Sequence, residues 1–168
     1  DKGVLELARA FAQSAKTHPA LRLLLVGPDE DDMQARLHEM VPPELASRML
    51  IRPFSNEPQQ LLAAADFLCL PSYREGFGMV ILEAAAVGIP AIGSRIYGIT
   101  DAIEDGRTGL LVPPRDTVAL TAAISMWCDQ PQELQKYAVA AQDRVRSLFE
   151  QKNVVEGYVE YFIRLFLR

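Results

Sequence analysis

The sequence is poor in residues that staple, ligate or anchor. Its 168 residues include only two cysteines, Cys69 and Cys128, both in apolar surroundings. That excludes a disulfide-rich secreted scaffold and reads as two buried, reduced thiols. Only two histidines occur, His18 and His38, in polar stretches without ligand-like spacing, so no metal site is expected. No apolar run reaches the ~18 residues of a membrane span, and no signal peptide is visible. No basic block of five or more like charges appears, and the net charge is −5. That balance argues against nucleic acid as a partner. Binding of a local anion stays open, because it depends on a few donors and not on the total.

What is present is ordinary globular material, 49% hydrophobic and 23% charged. The length suits one domain, which buries ~70% of its unfolded surface without staples. The chain opens at Asp1-Lys2-Gly3 without Met and reads as a piece of a longer protein. Short β-type runs at 21–26, 49–51, 67–70, 90–93 and 109–112 alternate with helical patterns at 4–15, 31–40, 58–65 and 79–87. Such alternation predicts βαβ units and a parallel sheet. Continuous runs such as Leu23-Leu24-Leu25-Val26 suit strands covered on both faces. Three successive helices are predicted at 118–128, 131–149 and 154–166. The last carries Val155, Tyr158, Val159, Phe162, Ile163, Phe166 and Leu167 at steps of three and four. That stripe reads first as core-facing, with partner docking as the other reading.

The chemistry concentrates in Pro71-Ser72-Tyr73-Arg74-Glu75-Gly76-Phe77-Gly78-Met79-Val80-Ile81-Leu82-Glu83-Ala84, which leaves a strand and opens a helix. Its glycines let the backbone approach a ligand closely. The free amides at the helix start, with the helix dipole, form an anion site suited to a phosphate. Glu75 and Glu83 bracket the turn. A phosphate would repel both, whereas acceptor-only carboxylates suit sugar hydroxyls. Phosphates at the helix start with hydroxylated rings on either side describe a nucleotide-sugar. Taken alone, two glutamates so spaced are equally a solvated helix face.

The whole string is more specific. Glu75 and Glu83 match an E-x7-E signature after a Pro-Ser strand end, followed by Glu83-Ala84-Ala85-Ala86-Val87-Gly88-Ile89-Pro90. Asp105-Gly106-Arg107-Thr108-Gly109-Leu110-Leu111-Val112-Pro113 matches D-G-x-x-G-x-L-V-x-P, and Lys2-Gly3 matches a K-G pair. The chain thus resembles, over essentially all its length, the retaining glycosyltransferases of family four, which have the GT-B architecture. The resemblance implies a Rossmann-like, doubly wound parallel sheet with C-terminal helices: one half of a GT-B enzyme, spanning 1–168 as the nucleotide-sugar donor domain. It implies Glu75 at the reacting end of the donor sugar, in the catalytic position, and Glu83 on the ribose hydroxyls. The backbone of Phe77, Gly78, Met79 and Val80 would bind the distal phosphate. Lys2 would reach the diphosphate and offset leaving-group charge. Arg52 and Phe54 would flank the base. No metal or other cofactor is implied; the donor is a substrate, with a UDP-sugar favoured and GDP-mannose second.

Several features depart from that pattern. Tyr97-Gly98-Ile99-Thr100-Asp101 stands where the family has a Gly-Gly pair followed by Glu, and Pro53 stands near a usual glycine. The family's first strand and the Gly-Arg that ends it are absent. In doubly wound order that strand is central, so the sheet is expected to show a gap, to rearrange, or to take a strand from elsewhere. The acceptor would belong to a missing N-terminal domain, leaving this part inactive alone. The last helix gains a second reading, as one that crosses to that domain. The resemblance suggests bacterial surface polysaccharide or lipid-linked glycan synthesis in the cytoplasm, possible also at the inner membrane face. The competing readings are a non-catalytic nucleotide-sugar binding or interaction module and, more remotely, a GT-B epimerase acting on UDP-N-acetylglucosamine.

Overall fold

The computed structural model describes residues 1–29 and 32–166. The elements run α1 (Val4–Ser14), β1 (Leu23–Val26), α2 (Met33–Met40), a 3-10 turn (Pro43–Arg48), β2 (Met49–Arg52), α3 (Pro58–Ala63), β3 (Leu68–Leu70), α4 (Met79–Ala86), β4 (Ala91–Ser94), α5 (Ile99–Ala102), β5 (Gly109–Val112), α6 (Thr117–Asp129), α7 (Pro131–Leu148) and α8 (Gln151–Phe166). Each expected strand and helix forms. Asp31, the expected start of the second helix, and Leu167, the end of the terminal stripe, lie outside the described residues.

All pairings are parallel. β1 pairs with β2, Leu23 opposite Met49 and Val26 opposite Arg52. β4 lies between β3 and β5, with Ile92 opposite Cys69 and Leu110. Among the described residues no ladder joins the pair to the triple. The sheet is therefore broken between β1–β2 and β3–β4–β5, as a doubly wound sheet lacking one strand would be. Strand β1 starts two residues later than its apolar run, at Leu23 opposite Met49, the first residue of β2. The Arg48 guanidinium donates to Leu21 O at 3.0 Å, Ala15 O at 3.1 Å and His18 O at 2.7 Å, tying the end of the 3-10 turn to the loop after α1.

Helices cover both faces of β3–β4–β5 but only one face of β1–β2, where Leu24, Val26 and Leu50 stay 39%, 43% and 39% exposed, against the expectation that Leu23–Val26 is covered on both faces. On one side Phe11, Leu120, Ile124 and Trp127 of α1 and α6 close over Leu23, Met49, Ile92 and Val112. This core reaches both parts of the broken sheet and holds them together. α6 starts where the Asp116 side chain accepts from the Ala119 amide at 2.8 Å, a cap worth about 1 kcal/mol. On the other side Ile81 and Leu82 of α4 pack with Ala91, Ile99 and Ile103, backed by Val145 and Phe149 at the end of α7. The core-facing expectation for the last helix is overturned. α8 buries none of its residues, and Tyr158, Phe162 and Phe166 are 63%, 50% and 78% exposed. It rests against α7, and among the described residues the stripe stays exposed. Two short elements escape the sequence pattern, the 3-10 turn and α5. Both are too brief to show a period.

Candidate functional site

In each sheet every strand points the same way, so the loops that follow the strands gather at one edge. That is where open α/β sheets take ligands. The loop after β3 runs from Pro71 to Gly78 and opens α4. Gly78 caps the helix with φ 63° and no side chain closes the cap. Among the described residues no protein group accepts from the amides of Gly78, Met79 or Val80. No acidic residue stands in the first turn. The Phe77 ring turns away from this opening and packs edge-on against Phe149, centroids 5.8 Å apart. Side-chain packing thus fixes the turn while its backbone donors stay open.

Glu75 lies at the lip. Its Oε1 accepts from Lys2 Nζ at 2.5 Å and from Ser72 Oγ at 3.0 Å. Its Oε2 has no partner among the described residues. The Glu75 side chain is 14% exposed and that of Lys2 60%. A mostly buried carboxylate is held by one fixed hydroxyl and one mobile ammonium, with a second oxygen free to accept. Lys2 is brought there by Gly3. A Cβ on Gly3 would sit 2.1 Å from the Pro71 carbonyl oxygen, and φ there is 67°. Only glycine allows that approach without strain. The Tyr73 amide donates to Asp1 O at 2.8 Å and completes the splice of residues 1–3 onto the strand exit.

Glu83 is exposed on the second turn of α4. It shares a face with Met79, four residues before it and 58% exposed. Arg52 and Phe54 are exposed at the end of β2, Phe54 by 70%. No hydrogen bond ties them to the α4 opening. The structure thus joins Lys2 to Glu75 at the loop that opens α4 with Phe77–Val80, and leaves Glu83, Arg52 and Phe54 exposed, without a hydrogen bond to Lys2 or Glu75 among the described residues. Ser72 was not foreseen. It is fully buried and holds Glu75 from below; it is the serine of the Pro-Ser strand end, which the motif marked without giving it a role.

A hollow of about 630 Å³ lies away from this edge, between α7 and the loop before β5, lined by Glu104, Arg107, Lys136 and Arg144 among others. Its cations already have carboxylate partners: Arg107 and Arg144 on Glu104, and Lys136 on Glu133. It is not the open donor set that an anion needs.

The fold and this edge define a Rossmann-like α/β unit whose open helix start, at the C-terminal ends of its strands, is flanked by a lysine–glutamate pair. The chain belongs to the glycosyl transferases group 1 family, whose sequence model matches residues 1–130. It is 35% identical over 167 residues to a glycogen synthase of Mycobacterium tuberculosis, covering 97% of this chain and 40% of that protein. It is also 35% identical to a D-inositol 3-phosphate glycosyltransferase of Corynebacterium kroppenstedtii, over 76% of this chain and 30% of that one. The Anabaena protein HepE, solved with UDP and glucose, superposes with a TM-score of 0.87 at 27% identity, over 97% of this chain and 45% of that one. The chain therefore spans less than half the length of these relatives. Its fold is the Rossmann-like half of a GT-B glycosyltransferase.

Proposed function

We propose that this chain binds a nucleoside-diphosphate sugar and serves as the donor half of a retaining glycosyltransferase. The observation that carries this reading is the open amide set of Gly78, Met79 and Val80 beside the free Oε2 of Glu75. In this reading the distal phosphate sits on those amides, where the dipole of α4 favours negative charge. Glu75 Oε2 accepts from a hydroxyl of the sugar. Glu83, on the exposed face with Met79, accepts from the ribose hydroxyls. Arg52 and Phe54 flank the base.

The bond between the anomeric carbon and the diphosphate breaks, and the acceptor oxygen bonds to the same face of the sugar. The acceptor proton passes to the departing phosphate oxygen. Charge grows on the diphosphate as this happens. The amides and the Lys2 ammonium, released from Glu75, stabilise it. A UDP-sugar is the favoured donor, supported by HepE having been solved with UDP-glucose, with GDP-mannose second. We place the acceptor site in the portion of the relatives that this chain does not match, and the reaction in bacterial surface polysaccharide or lipid-linked glycan synthesis on the cytoplasmic side. No helix among the described residues is long and apolar enough to cross a membrane.

Titration calorimetry with UDP, UDP-glucose, GDP and GDP-mannose tests the reading. Wild type binds one nucleotide–sugar pair. Glu83→Ala and Lys2→Ala each weaken it about tenfold or more, since each removes a charge-assisted contact of about 1.5–3 kcal/mol. Absence of binding to all four, or unchanged affinity in both variants, refutes it.

A further inference from the structure

The loop after β4 carries a feature that the fold does not use. Tyr97 is 83% exposed, more than any other large apolar side chain among the described residues. Its ring makes no aromatic or cation contact and its hydroxyl no hydrogen bond among those residues. An aromatic ring standing in water adds nothing to stability. Its position, however, is fixed. The next residue, Gly98, has φ 86°, and a Cβ there would lie 2.5 Å from Gly76 O and 2.8 Å from Glu75 O. The Tyr97–Gly98 backbone is therefore pressed against the Glu75–Gly76 turn, one peptide unit from the lip. Gly98 also caps α5, whose Ile99 is fully buried. The tyrosine is thus held by a rigid anchor with its ring free.

We propose that Tyr97 is a specificity-determining residue, a platform for the donor's sugar ring. The inference rests on the proposed donor site and deepens it. A hexose presents hydroxyls at its edge and a patch of C–H on its face. Glu75 Oε2 takes a hydroxyl at the edge, and the Tyr97 ring, on the adjoining loop, covers the C–H face. Rigid aromatic side chains supply such contact at low entropic cost. The bare nucleotide lacks the sugar ring and does not touch the platform, so the residue separates nucleotide-sugar from nucleotide.

Calorimetry on wild type, Tyr97→Phe and Tyr97→Ala tests this, using UDP against UDP-glucose and GDP against GDP-mannose. The quantity read is the ratio of the nucleotide Kd to the Kd of its sugar conjugate, on whichever pair wild type binds. Tyr97→Ala lowers that ratio about fivefold to tenfold, the scale of one aromatic contact. Tyr97→Phe keeps the ratio within about twofold, since the platform is the ring and not its hydroxyl. The affinity for the bare nucleotide is the same in all three proteins. An unchanged ratio in Tyr97→Ala overturns the inference and leaves the donor site standing. So does equal weakening of nucleotide and conjugate, which marks a structural role. A wild type that binds neither pair overturns both.

Discussion

Arg115 stands in the turn between β5 and α6 with φ 64°, one of two non-glycine residues described in the left-handed region. Its guanidinium lies 4.4 Å from the centroid of the Tyr73 ring. Two opposed effects meet there. The left-handed backbone costs an ordinary residue about 1 kcal/mol. The cation over the ring returns about 0.5–1 kcal/mol at an exposed site such as this. Arg115→Ala keeps the strain and loses the stack, so it lowers stability by about 0.5–1 kcal/mol. Arg115→Gly loses the same stack but releases the strain, and gives back about half of that gain through the freer unfolded chain. The glycine variant is then the more stable of the two by about 0.5 kcal/mol, or about 1–2 °C in Tm for a chain of this size. Urea unfolding followed by the fluorescence of the single tryptophan, Trp127, which is 1% exposed, reads this directly. An alanine variant as stable as the glycine variant would mean that the backbone at this position is not strained, and would refute the reasoning.

Gly3→Ala forces a Cβ to within 2.1 Å of the Pro71 carbonyl. It should lower stability by at least about 2 kcal/mol and pull Lys2 from Glu75, so urea unfolding and nucleotide binding fall together; a silent substitution contradicts the splice. His18 contacts the Ser14 carbonyl at 2.8 Å and Asp129 at 3.1 Å, and these two acceptors, the carbonyl first, raise its pKa above the ordinary 6.5. Its contribution to stability is complete below pH ~6.5 and lost as pH rises through the folded value. The urea midpoint of wild type should therefore fall between pH 5.5 and 8.5 by more than that of Asp129→Asn. Burial pushes the Cys69 thiol up to about 12 and raises that of Cys128 as well. Both side chains are only partly buried, so each should react with a disulfide reagent at pH 8 more slowly in the folded chain than after urea unfolds it, because the thiolate is the nucleophile.

The architecture was legible because periodicity and chain order carry it. Ala91–Ser94 announces a buried parallel strand and the Gly76–Gly78 turn an open helix start, whereas Leu23–Val26 forms its strand but leaves Leu24 and Val26 exposed, because an apolar run does not say that both faces find cover. The terminal helix shows where the same logic fails. The stripe through Tyr158, Phe162 and Phe166 has the spacing of a core face, but spacing says only that a face is apolar. It does not say that a partner surface lies opposite, and here none among the described elements does. The break between β1 and β3 was legible in part. The resemblance led to the expectation of a gap or rearrangement at the centre of the sheet, and the described residues form two ladders sharing one core.

The site itself was half legible, for a physical reason. Backbone donors follow from local chain geometry, so Gly78, Met79 and Val80 were readable from their place after a strand and before a helix. Side-chain orientation depends on neighbours far away in sequence. Lys2 and Glu75 are 73 residues apart, and their pairing depends on Gly3 pressing against Pro71 and on Ser72 beneath the carboxylate. That pairing also gives the two residues one shared state. With no ligand the ammonium neutralises Glu75 and keeps a mostly buried carboxylate from standing alone, which would be costly. In the proposed donor site an arriving diphosphate would offer the same ammonium a more highly charged partner, and Glu75 would gain a sugar hydroxyl in exchange. On that proposal the lysine links occupation of the phosphate subsite to release of the carboxylate. Lys2→Ala should on this account weaken the nucleotide-sugar less than the summed loss of two independent contacts, because Glu75 is then free from the outset. A double-mutant cycle of Lys2→Ala with Glu75→Gln, read by calorimetry on the nucleotide-sugar, measures the coupling, and strict additivity would show the two to be independent.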